Sequence, residues 1–318
     1  MSAKSISLSF HGIGSGRVWG YLAGIITGVT YGMNPLFAMP VLGAGVSVET
    51  VLFVRYAVAV LVLGMVILST HKSFAVSRVQ LGWLAMLGVL FACSSLFLFL
   101  AYNYIPSGIA TTIIFLYPTL VALIMVFLKV FPTWQTWVSI VVTFIAILFL
   151  CNYDSSQPVH FEGIILAFLS ALSYAFFIVL INRKRCLREL SNDVLTFYAL
   201  ITGCIVFGLI AFVGNHSGKI SLLNDFNTIC AHSQMWLNLI LLAVIPTVIS
   251  TATLAASTKI IGATKASVLG VFEPLTAILI GTLVFGEKMS WNIVIGIVLS
   301  IFAICFMILC PGRKSKPI

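Results

Sequence analysis

A chain of 318 residues with 61% hydrophobic and only 8% charged positions, at a mean hydropathy of +1.16, has too little charge to cover a globular surface; soluble domains average roughly 25% charged residues. That excludes a soluble enzyme or binding module and predicts an all-α integral membrane protein. The net charge of +9 argues for no nucleic-acid partner, because in such a chain the question is where the positive residues sit.

Residues 1–18 are polar and glycine-rich with no apolar core, so no cleavable signal peptide is expected, and they read as a cytoplasmic tail. Ten apolar stretches follow, at about 19–41, 50–69, 80–101, 108–128, 134–151, 161–182, 194–213, 236–257, 263–285 and 291–310. Each comes close to the ~20 residues that cross ~30 Å of hydrocarbon as a helix. Connections are short and punctuated by Pro40, Gly43, Pro106, Pro132 and Pro158.

Helix 1 carries Gly20, Gly24, Gly28 and Gly32, a small-xxx-small stripe that reads as close helix packing. Tyr31 and the pair Asn34-Pro35 follow. Pro35 predicts a helix irregularity whose freed carbonyls need protein or water partners. Asn34 either binds substrate or glues neighbouring helices. Helix 2 holds Arg55, about five residues from one end. It either snorkels to the interface or pairs with an acid or a carboxylate substrate. Helix 3 contributes Cys93-Ser94-Ser95, helix 4 the pair Tyr117-Pro118, and helix 6 Tyr174.

The longest loop, about 214–235, is polar enough to lie outside the bilayer. In helix 8, Thr247, Ser250, Thr251 and Leu254 recur at helical spacing, so one face is polar. That face suits a water-filled path, although small hydroxyls also pack helices closely.

Helix 9 holds the sharpest feature, Glu273 near mid-span with Pro274 directly after it. An acid at that depth is costly and tends to face partners or water, while the proline opens the helix locally. Three roles stand: taking up and releasing a proton in step with substrate, touching substrate directly, or a structural acid serving backbone groups freed by Pro274. Trp134, Trp137, Trp236 and Trp291 fall at helix ends, as aromatic-belt residues do.

Lysine and arginine set the orientation. With the N-terminus in the cytoplasm, fourteen of the seventeen fall on inner segments, Lys219 and Lys288 fall outside, and Arg55 is left within helix 2. Both termini are therefore expected inside, with 311–318 a basic cytoplasmic tail. The seven cysteines show no metal-ligand spacing and read as small hydrophobes; no metal or cofactor is expected.

The chain also repeats itself. At a shift of 143, Thr27 meets Ser170, Thr30 meets Ser173 and Tyr31 meets Tyr174; at a shift of 156, Ala110 meets Ala266, Thr111 meets Ser267 and Pro118 meets Pro274. This predicts a five-plus-five duplication, residues 19–151 and 161–310. Five is odd, so the second half is inverted, the usual scaffold of alternating-access transporters.

The stretches Gly20–Phe37 and Gly163–Lys184, with Gly262-Ala263, Ala266, Glu273-Pro274, Gly286-Glu287 and Trp291, resemble the EamA-type repeats of the drug/metabolite transporter superfamily over about 19–310. The resemblance implies a ten-helix inner-membrane carrier of small organic metabolites, amino acids for example, often moved outward. One departure stands out: where the second half has Gly286-Glu287, the first has Val130-Phe131, so no symmetric role falls to Glu287.

A membrane enzyme is disfavoured, since the chain has no HExxH, no pair of buried aspartates and no serine with a histidine partner in the membrane. A primary pump is disfavoured by the lack of a GxxxxGK[ST] loop. The expected partners are a small-molecule substrate, the lipid bilayer and, under the coupled reading, protons. A multidrug exporter and an uncoupled facilitator are the competing readings. The candidate cavity residues are Glu273, Arg55, Tyr117, Asn34, Tyr31, Tyr174 and Thr251, with helix breaks at Pro35, Pro118 and Pro274.

Overall fold

The computed structural model describes residues 13–105, 110, 113–150, 160–218 and 220–284, with scattered positions between 291 and 306. Among these residues the secondary structure is helical throughout. Six helices are long and apolar enough to cross a membrane: Gly16–Gly43, Val48–Ser69, Arg78–Ala101, Phe161–Arg183, Asn192–His216 and Ser233–Ile261. Tyr117–Phe127 and Trp134–Ala146 are shorter apolar helices. Glu287 and most of helix 10 lie outside the described residues.

The first span is two helices, α1 (Ile13–Gly32) and α2 (Asn34–Gly43), parted at Met33. Pro35 occupies the first turn of α2, where a missing N–H leaves no bond unmade. Two more prolines sit in the first turn of a helix. Pro118 opens α5 (Tyr117–Phe127), and Pro274 opens α14 (Phe272–Val284), which is parted from α13 (Ala263–Leu269) by Gly270-Val271. Between them in sequence run α3 (Val48–Ser69), α4 (Arg78–Ala101), α6 (Trp134–Leu150), α7 (Phe161–Arg183), α8 (Arg185–Arg188), α9 (Asn192–His216), α10 (Leu222–Ala231), α11 (Ser233–Ala243) and α12 (Ser250–Ile261). A π-helical segment, Val244–Ile249, joins α11 to α12.

Packing between elements obeys a two-fold exchange of halves. α1 packs on α12 and α14, and its counterpart α7 packs on α4 and α5. α3 packs on α11, and its counterpart α9 packs on α4; the pairs α3 with α9 and α5 with α13 are each their own image. Side chains repeat the pattern. Thr27 Oγ1 lies 3.4 Å from the Ser250 carbonyl oxygen, and Ser170 Oγ donates to the Ser94 carbonyl at 2.7 Å.

Helix starts agree. Ser47 caps α3 by accepting the Thr50 N–H, and Ser191 caps α9 by accepting the Val194 N–H. Aligning those caps sets Arg55 opposite Ala199, so the charge in α3 has a methyl group as its mate.

The glycine stripe of α1 is the contact surface for the second half. A Cβ on Gly20 would meet Ile260 and Ile261, on Gly24 Leu269 and Ser257, on Gly28 Phe272, and on Gly32 the Glu273 carbonyl. The 214–235 stretch is less of a free loop than its polarity predicts. It holds α10, whose Asp225 is buried and accepts from Ser47 Oγ at 2.5 Å and Thr50 Oγ1 at 2.6 Å. Two hydroxyls satisfy the carboxylate, so burial becomes affordable.

Candidate functional site

A layer of tyrosines lies where the halves meet. Tyr31 and Tyr174, repeat mates, stack with ring centroids 5.8 Å apart and planes 16° apart. Tyr117 meets Tyr174 edge-on at 4.9 Å, and Phe177 stacks on Tyr174 at 6.1 Å. Such offset and edge-on pairs are the favoured aromatic geometries. All three tyrosines are buried.

Glu273 sits at the edge of this layer. It is 7% exposed in the first turn of α14, with its N–H donating to the Gly270 carbonyl at 2.8 Å. Its backbone presses on Gly28 and Gly32, and the Tyr117 hydroxyl fills the space where a Cβ on Gly270 would stand. Absent side chains at three glycines thus admit the break that carries the acid. The carboxyl group takes no ion pair from a described residue; the ion pairs among them are Lys72 with Asp193 and Arg185 with Glu189.

Arg55 and Glu273 are both within electrostatic reach of Tyr31. Arg55 is 0% exposed, so the snorkelling reading gives way to a buried one. Arg55 Nε donates to Thr247 Oγ1 at 2.5 Å and Nη2 to the Pro246 carbonyl at 3.4 Å. The guanidinium carbon stands 5.8 Å from the Phe99 ring centroid, within cation–π range.

The partner of Arg55 is the feature sequence reasoning missed. Pro246 has no N–H, so the Leu242 carbonyl four residues back loses its helical donor. Thr247 Oγ1 donates to that carbonyl at 2.8 Å and accepts from Arg55. Proline followed by threonine inside a predicted span was the available signal.

The other candidates divide. Asn34 is buried with neither amide atom bonded among the described residues, and Thr251 Oγ1 is likewise without a partner. Unsatisfied buried polar groups cost about 1–3 kcal/mol each, so these are places where a polar ligand or water is favoured. Two grooves lie away from the tyrosine layer. One, of about 630 Å³, is lined among others by Ser47, Glu49, Asn103 and Ser217. The other, of about 400 Å³, is lined mostly by apolar side chains, with Arg183 and Lys184.

Two inverted halves around a buried, polar-studded interface match known proteins. The model of the EamA-like transporter family matches residues 18–152 and 161–309. The chain belongs to that family. The two matched segments coincide closely with the two halves of the fold, so this EamA-like protein is a multi-pass membrane transporter built from two repeats. A solved structure titled "Crystal structure of protein" superposes with a TM-score of 0.74 at 16% identity, covering 93% of this chain and 99% of that chain. At that identity it shows a shared fold alone. A search of curated proteins finds no match.

Proposed function

We propose that this EamA-like protein is a secondary carrier that moves small organic metabolites, amino acids among them, outward across the cytoplasmic membrane by alternating access. Glu273 couples the movement to protons. The observation that carries this reading is a buried acid in an interrupted helix, set where α14 crosses the glycine face of α1. A carboxyl group without a fixed partner is free to exchange a proton or a ligand group as the halves move. Both termini face the cytoplasm in this reading.

Purified protein in proteoliposomes, offered a panel of labelled metabolites with and without a pH gradient, tests it. The gradient raises accumulation by wild-type protein, and Glu273→Gln abolishes that response while retaining exchange. Gradient-independent transport by both proteins rejects the coupling. Orientation is tested on Cys230, which is exposed. A membrane-impermeant thiol reagent labels it in intact cells; labelling only after permeabilisation reverses the topology.

The aromatic layer of Tyr31, Tyr117 and Tyr174 favours a second specificity, a multidrug exporter. Transport of bulky aromatic cations in preference to metabolites identifies it.

A further inference from the structure

We infer that the transported molecule carries a carboxylate and that Arg55 is the residue that holds it. The inference rests on the carrier reading above and names the chemistry of its substrate.

Arginine stays charged at any working pH, and a buried charge without a counter-charge is strongly unfavourable. Yet no carboxylate among the described residues comes within ion-pairing distance of Arg55. Its protein partners are neutral oxygens, a threonine hydroxyl and a proline carbonyl. These fix the group in place and leave its charge unmatched.

Their placement matters as much as their number. Thr247 and Pro246 engage Nε and Nη2, one side edge of the guanidinium. No carboxylate among the described residues meets Nη1 or the other edge of Nη2. The pair Nη1 and Nη2 forms the fork that meets a carboxylate through two parallel bonds. The side edge is thus anchored on neutral oxygens, and the end-on fork meets no anion among the described residues.

The surroundings are built for an organic anion. Phe99 lies over the guanidinium at 5.8 Å, Tyr56 bonds Ser95 at 2.9 Å, and the buried Tyr31 is within electrostatic reach of Arg55. Apolar rings exclude water from the ion pair and leave hydroxyls for polar parts of the ligand. Neither the fork nor its anchor is duplicated under the exchange of halves: Ala199 stands at the position related to Arg55, and Phe91 at the position related to Thr247.

The test uses wild-type protein first. Proteoliposomes are offered labelled leucine, phenylalanine, choline and thymidine. Uptake of any carried solute is then challenged with excess phenylalanine, its methyl ester, phenethylamine and phenylpropionate. A carboxylate site predicts that leucine or phenylalanine is carried and that phenylalanine and phenylpropionate compete. The ester and the amine compete at least about thirtyfold more weakly, as expected when a buried charge loses its partner. Arg55→Gln lowers uptake by about the same factor, and Arg55→Lys recovers part of it, with monodispersity in detergent as the folding check. Uptake of choline or thymidine alone, or equal competition by ester and acid, overturns the inference and leaves the carrier reading intact. If no labelled solute moves, the carrier reading fails and the inference with it.

Discussion

The hydroxyl oxygen of Thr27 lies 3.4 Å from the Ser250 carbonyl, and that of Ser170, its mate in the other half, donates to the Ser94 carbonyl at 2.7 Å. Ser94 and Ser250 are themselves a repeat pair, 156 residues apart. Thr27 precedes Tyr31 by four residues, as Ser170 precedes Tyr174. The halves are inverted and the two rings stack, so the contacts flank the tyrosine layer on opposite sides.

That placement predicts opposite effects from equivalent substitutions. Thr27→Val and Ser170→Ala each remove a contact worth about 1 kcal/mol. With a reporter thiol introduced as Thr251→Cys, one variant increases labelling from one side of the membrane and the other from the opposite side. Matching shifts in both variants contradict the assignment of the contacts to separate sides.

The glycine face of α1 predicts a sharp size limit. Gly28→Ala puts a methyl group against Phe272, and overpacking of this kind costs about 1–3 kcal/mol. Gly16 has open space around it, so Gly16→Ala is the neutral control. Thermal unfolding in detergent separates the two; equal melting temperatures refute the packing argument.

At the π segment, Thr247→Val leaves both the Leu242 carbonyl and Arg55 Nε without their partner. A loss of about 2 kcal/mol or more is expected, since hydrogen bonds to charged groups contribute about 1.5–3 kcal/mol. Thr247→Ser keeps the hydroxyl and recovers most of the stability, as measured by the same melt. Indistinguishable Val and Ser variants sink the relay.

Asp225→Ala removes the acceptor that the Ser47 and Thr50 hydroxyls share, leaving them only each other, and frees α10 from the start of α3. Amides of Leu222–Ala231 then exchange faster with deuterium, with the opening free energy lowered by about 1–3 kcal/mol. Unchanged exchange shows that α10 is held by its apolar contacts alone.

Much of this was legible because bilayers impose coarse rules. Apolar runs marked the spans, and the pairs Thr27 with Ser170 and Tyr31 with Tyr174 exposed the duplication before any coordinates. The glycine stripe announced a close contact without naming its partner, because periodicity along α1 says nothing about what lies across from it. Arg55 left two readings open for a similar reason. Its depth is set by Thr247, 192 residues away, and by a carbonyl that only the fold brings near. Asp225 misled in the other direction: a charge in a polar stretch reads as solvated until its hydroxyl donors, 175 and 178 residues distant, are seen.

The repeat mates of Arg55 and Glu273 carry a last consequence. Arg55 faces Ala199 under the repeat, and Glu273 faces Tyr117, so the halves share a shape and differ in polarity. A machine with identical halves would idle with equal occupancy open to either side. Here exchanging the halves does not exchange the charges, so under the alternating-access cycle proposed above the two open forms are expected to differ in energy even without a gradient. Under that cycle the two side chains bias the empty carrier toward one side, and Arg55→Ala paired with Glu273→Tyr is predicted to shift the two forms toward equal occupancy, read from two-sided thiol labelling.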